Sequence, residues 1–184
     1  ANPDALQDVL SGINFNRKIG QRTLDDDTLA DFVQNFDRIP LRDDDFEFPD
    51  LLGAAYEWLI KFFADSAGKK AGEFYTPRSV VRMMVEILDP QEGESIYDPA
   101  CGTGGMLLAA IDHVERNGGD PRTFFGKIYG QEKNLTTASV ARMNLVLHGI
   151  EDFQIAREDP LRSPAFTDDT GIEAWDKIMD TNVK

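Results

Sequence analysis

The stretch that most constrains this chain is Asp98-Pro99-Ala100-Cys101-Gly102-Thr103-Gly104-Gly105. A short apolar run, Ser95-Ile96-Tyr97, precedes it and reads as a buried parallel strand. A helical pattern from Met106 to about Arg116 follows. Strand, glycine-rich turn and helix form the arrangement in which backbone approaches a ligand. Gly102, Gly104 and Gly105 permit positive φ and remove the Cβ atoms that would block the approach. The first N–H groups of the helix then face whatever sits above the strand end. Taken alone, the glycines fit an ordinary βα turn equally well. The spacing is not G-x-G-x-x-G and there is no P-loop Lys, so dinucleotide and P-loop fingerprints both fail.

A second motif lies upstream: Gly72-Glu73-Phe74-Tyr75-Thr76-Pro77-Arg78. Thr76 as N-cap and Pro77 at the first helical position predict a helix start, with Val80, Val81, Met84, Val85 and Leu88 on its buried face. Capping does not account for two aromatics just before it.

Together the two motifs resemble the amino-group DNA methyltransferases, and specifically the modification (HsdM-type) subunit of type I restriction-modification systems, which methylates adenine at N6. The resemblance covers nearly the whole chain. It implies an α/β, Rossmann-like S-adenosylmethionine-dependent methyltransferase fold with a truncated sheet and a small helical N-terminal region. It implies S-adenosyl-L-methionine as cofactor. Glu73, Phe74, Tyr75, Thr76, Pro77 and Arg78 would close over its methionine end, with Tyr75 and Thr76 the direct contacts. Asp98, Ala100, Gly102, Thr103, Gly104 and Gly105 would form its loop.

Two further acids join this set. Glu132 ends a second strand pattern, Lys127-Ile128-Tyr129-Gly130. An acid there can accept both hydroxyls of a ribose, and doubly wound folds place ligands at strand ends. Alone it would read as a solvated helix-start acid; the glycine loop one strand away favours the ligand, and the family places its ribose acid here. Asp159 follows a third strand, Phe153–Ala156. The resemblance gives it the adenine amino group, and loop surface is the alternative.

The rest of the chain sets the context. Residues 1–70 read as helical and 71–184 as the cofactor-binding part. Thr23–Asp27 marks a helix start with acids in its first turn. Asp50 is placed to cap a helix from Leu51 to about Asp65, whose stripe of Leu51, Leu52, Ala55, Leu59, Phe62 and Phe63, extended by Trp58, is expected to pack on the catalytic part. Ser66–Gly72 reads as a basic hinge. Asp25–Asp27 and Asp43–Asp45 fit caps and solvated loops better than metal sites. Asn134 or Thr136 starts the helix after Glu132, and His148 ends it as a dipole partner.

A single cysteine, Cys101, rules out an internal disulfide and fits a reducing cytoplasm. Cys101 reads as a small filler in a tight loop rather than a nucleophile. Neither a signal peptide nor a membrane span is expected. The net charge of −14 opposes direct DNA binding, because phosphate contacts need Lys and Arg. A locally assembled basic patch or a second subunit would overcome this; the resemblance implies the second, a separate specificity subunit, so the implied partners are DNA through that subunit and the other modification and restriction subunits.

Ala174–Asp180 resembles the family's fourth strand, but the chain continues Thr181-Asn182-Val183-Lys184 without Asn-Pro-Pro-Phe. That tetrapeptide would hold and stack on the flipped adenine, so no catalytic residue is assigned and the chain reads as a fragment. The readings that remain are an adenine methyltransferase subunit, a methyltransferase of another substrate, a non-catalytic assembly module, and, last, a nicotinamide dehydrogenase.

Overall fold

The computed structural model describes residues 23–40, 51–67 and 76–166, with single positions 9, 14, 16 and 18. Several expectations fall outside these residues: the Asp43–Asp45 loop, the Asp50 cap, the Glu73–Tyr75 segment and the fourth strand at 174–180.

The centre is a parallel sheet in the order β1-β2-β3, made by β1 (Ile96–Asp98), β2 (Ile128–Gln131) and β3 (Gln154–Ala156). Ile96 is opposite Ile128 and Asp98 opposite Gly130; Gly130 is in turn opposite Ile155. Parallel neighbours need crossover connections. Here α4 (Gly105–Arg116) and a 3-10 turn (Pro121–Phe124) join β1 to β2, and α5 (Leu135–Leu147) joins β2 to β3.

Residues opposite each other in register share a face, so Ile96, Ile128 and Ile155 define the apolar side. Leu107, Ile111 and Val114 of α4 and Ala138, Ala141 and Leu145 of α5 pack there with Phe124. α3 (Arg78–Leu88) adds Val81 and Val85 against Ala110 and Ile96. The three helices therefore cover one face. On the other, Phe166 packs against Tyr97 and Tyr129, with ring centroids 5.6 and 5.2 Å apart. β2 is nearly all buried, whereas every residue of β1 is half-buried. The expected burial of β1 is incomplete because β1 is the outer strand of the described sheet.

The start of α3 differs from the expectation. Pro77, not Thr76, occupies the N-cap; its carbonyl accepts the N–H groups of Val80 and Val81, and among the described residues no side chain caps the helix. At the other end, Asp89 adopts a left-handed φ of 46°. Its carboxylate lies 2.9 Å from Nε2 of the buried His113, which is also 3.0 Å from Nδ2 of Asn117. This cluster clasps α3 to α4.

α1 (Asp26–Asp37) starts as expected, with Asp25 Oδ1 accepting the Thr28 N–H at 2.7 Å, but none of its residues is buried. α2 (Leu51–Ala67) packs against α5, and Glu57 pairs with Arg78. The expected apolar stripe is only partly used: Gly53 is buried, while Trp58, Leu59, Phe62 and Phe63 remain exposed. α2 also runs to Ala67, two residues into the expected hinge.

Phe124 is fully buried in the main core although it comes from a turn that no periodicity marks. Phe124→Ala should lower unfolding free energy by about 3–5 kcal/mol in urea titration; a loss below about 1 kcal/mol would contradict its place in the core.

Candidate functional site

Parallel strands bring their C-terminal ends to one edge, and the sequence puts acids there. Asp98 ends β1, Glu132 follows β2, and Asp159 comes shortly after β3. Burial pushes the Asp98 carboxyl up; the Ala100 N–H, 3.0 Å from Oδ1, opposes this, and the charge of Glu132 adds to it. Asp98 and Glu132 therefore sense each other across the strand ends.

The loop between β1 and α4 is built as its glycines require. Gly102 and Gly104 have φ of 54° and 83°, the left-handed region. Gly104 is the N-cap of α4. The Cys101 N–H donates to the Gln131 carbonyl at 3.0 Å, and the Gly104 N–H to the Cys101 carbonyl at 2.8 Å. A Cβ on Gly104 would point at Ala141 of α5, at ordinary contact distance. What requires glycine here is therefore the left-handed backbone, not the space around it. At Gly105, by contrast, no described residue comes within 4 Å of the Cβ position. Among the described residues, that side of the α4 N-terminus is open to approach.

Cys101 is buried, and that burial, with Asp98 and Glu132 adding their charge, pushes its thiol well up. It stays a thiol and acts as filler.

Glu132 is half-buried. Its N–H donates to the Ala156 carbonyl at 3.0 Å, and Oε1 accepts the Asn134 N–H at 2.7 Å. Asn134 is the N-cap of α5, accepting from Thr136 and Thr137. Asp159 accepts from Lys133 Nζ at 2.9 Å and from the Leu161 N–H at 3.2 Å; the Lys133 bond holds its carboxyl below the usual range. Lys133 adjoins Glu132, so this ion pair links the β2 and β3 ends.

The upstream motif is only partly placed. Glu73, Phe74 and Tyr75 lie outside the described residues. Thr76 and Pro77 are exposed, and the Arg78 guanidinium is engaged by Glu57 of α2. The structure thus brings together Asp98, Ala100, Gly102, Thr103, Gly104, Gly105, Glu132 and Asp159, and turns Arg78 toward α2.

Three contributors were not singled out in the sequence. Asn144 of α5, only 1% exposed, donates from Nδ2 to the Thr103 carbonyl at 3.0 Å and so holds the loop. Its signal was a polar residue on the apolar face that carries Ala141 and Leu145. Gly130 is another: a Cβ there would sit 2.5 Å from Ile155 Cδ1 and 3.0 Å from Cys101 Sγ. A glycine inside a strand is the mark of such an approach. The third is Gln131, which has no exposed surface at the end of β2.

Asp98 gives a pH test. Its folded-state pKa is raised, so between the unfolded and folded values the native state binds more protons, and stability falls as pH rises through that window. Asp98→Asn keeps an acceptor for Ala100 and lacks the charge. Urea titrations should show the variant as the more stable chain at pH 7, with the gap closing as pH falls toward 4; a gap that widens in acid would refute the assignment.

Comparison with known proteins agrees with this geometry. The profile of the N-6 DNA Methylase family matches residues 47–183. The methylase subunit of the type I restriction enzyme EcoEI from Escherichia coli is 44% identical over 138 residues, covering 72% of this chain and 26% of that protein. The MjaIX methylase subunit from Methanocaldococcus jannaschii is 34% identical over 168 residues, covering 91% and 28%. The chain thus spans about a quarter of the length of these curated relatives. Among solved structures, the type I restriction-modification system methyltransferase subunit from Streptococcus thermophilus superposes with a TM-score of 0.72 at 30% identity, covering 90% of this chain and 35% of that one. The fold is the Rossmann-like fold of those subunits.

Proposed function

Because this chain belongs to the N-6 DNA methylase family, we propose that it carries the S-adenosylmethionine-binding part of an adenine-N6 DNA methyltransferase subunit of a type I restriction-modification system. The observation that carries the proposal is the convergence of the glycine loop, Glu132 and Asp159 at adjacent strand ends. The donor and acceptor chemistry fits the cofactor. Glu132 has one oxygen on Asn134 and a second for a ribose hydroxyl. Asp159 is an acceptor suited to an adenine amino group. The open side of Gly105 admits the amino-acid portion beside the α4 N-terminus. Glu73, Phe74, Tyr75, Thr76, Pro77 and Arg78 complete the proposed set on the strength of the motif.

Bound S-adenosylmethionine would supply an activated methyl on a sulfonium, so the work left to the chain is binding and orientation. The Asp98–Gly105 loop and Glu132 would fix the cofactor. The groups that receive the flipped adenine are not assigned within this chain.

The proposed assembly follows from the family, and the charge is compatible with it. At −14 the chain is a poor partner for phosphates, so DNA would be met through a specificity subunit, with other modification and restriction subunits in the complex. A helical region 1–70 beside a cofactor-binding part 71–184 belongs to the same proposal, as does a cytoplasmic location. No helix among the described residues is long and apolar enough to cross a membrane.

Calorimetric titration with S-adenosylmethionine, with NADH in parallel, tests the cofactor assignment. Binding of S-adenosylmethionine alone is expected, weakened about 10–100-fold by Glu132→Gln, as loss of a charge-assisted hydrogen bond implies. Equal affinity in the variant would remove Glu132 from the site, and binding of NADH instead would overturn the reading.

A further inference from the structure

Gln131 is the last residue of β2 and has no exposed surface. An uncharged polar side chain at such a place costs free energy unless its amide is paired. This one is paired three times. Oε1 accepts the Tyr97 hydroxyl at 2.9 Å and the Ala165 N–H at 3.0 Å, and Nε2 donates to the Ser163 carbonyl at 2.8 Å. Its main-chain carbonyl takes the Cys101 N–H as well. One residue therefore ties together β1, the glycine loop and the segment after β3.

That segment is itself a closed turn. The Arg162 and Ser163 N–H groups both donate to the Asp159 carbonyl, at 3.0 and 2.8 Å. Holding Ser163 thus holds Asp159. Glu132 is the residue next to Gln131 in the chain. The side chain needs two acceptor lone pairs and one donor at once, which an amide supplies. A carboxylate lacks the donor, and a thioether lacks all of it.

We propose that Gln131 is a positioning residue: it fixes the Asp159–Ala165 segment against β1 and β2 so that Asp159 and Glu132 face one ligand. It touches no ligand itself. The proposal rests on the cofactor reading above for the identity of that ligand, but the anchoring it describes can be measured without one.

Three variants separate anchoring from general stability. Gln131→Met removes every side-chain bond. Gln131→Glu keeps the acceptor for Ala165 and loses the donor. Ala165→Pro deletes one N–H at an exposed position, and β2 protection reports whether the sheet is undisturbed. Amide hydrogen exchange is followed by NMR, with Ile128–Gly130 of β2 as internal reference, and S-adenosylhomocysteine affinity by calorimetry. Ala165 should be protected in the parent chain and in Gln131→Glu, and lose protection in Gln131→Met. Affinity should fall about tenfold in Ala165→Pro, the size of one lost hydrogen bond, with β2 protection unchanged. The order should be parent, then Gln131→Glu, then Gln131→Met. Unchanged affinity in both Ala165→Pro and Gln131→Met, with β2 still protected, overturns the proposal. If the parent chain binds no S-adenosylhomocysteine, the cofactor reading fails. The anchor is then judged on Ala165 alone: protection lost in Gln131→Met supports it, and protection retained overturns it.

Discussion

The parallel pairing of β1 with β2, with Asp98 opposite Gly130, governs the site. It places a half-buried carboxylate at the end of one strand beside a second carboxylate just past the end of the next. Such an arrangement is unfavourable in an empty fold, and burial together with the Glu132 charge raises the Asp98 pKa accordingly. Local donors offset part of the cost: the Ala100 N–H at Asp98 and the Asn134 N–H at Glu132. A concentration of acceptors that the fold tolerates rather than gains from is the kind of feature expected where a ligand supplies the missing donors.

Small residues let this arrangement close. Gly130 admits Cys101 and Ile155, so the loop can lie directly on β2. Left-handed glycines then turn the chain into α4 within a few residues. Buried amides, Asn144 on the Thr103 carbonyl and Gln131 on the segment after β3, fix the parts that glycine leaves free. Conformational freedom at the glycines and rigidity at the amides are complementary, because a loop that meets a ligand with its backbone must be both unobstructed and held.

How much of this was legible in the sequence depends on range. β2, β3, the glycine turn, α4 and α5 follow from local period, caps and turn residues, and the structure has them within a residue or two. The Pro77 cap displaced the expected Thr76 because a proline φ and a free carbonyl suffice to start a helix. The Phe124 turn and the partners of Asn144, Gln131 and Gly130 were not legible, although a polar residue on an apolar face and a glycine inside a strand mark two of these positions. Each depends on a partner 20 or more residues away, or on a face defined only after the strands pair. The stripe on α2 predicts one packed surface, yet Trp58, Phe62 and Phe63 stay exposed, because apolar period identifies a face without saying how much of it is covered.

If the three strand ends act as one binding site, they respond together to one ligand. Amide chemical-shift mapping of the chain with S-adenosylhomocysteine tests this most directly. Coordinated shifts are expected at Gly102–Gly105, at Glu132 and Lys133, and at Asp159–Leu161, all with the same titration midpoint. Shifts confined to one of these segments, or centred on α1 and α2, would contradict one shared site.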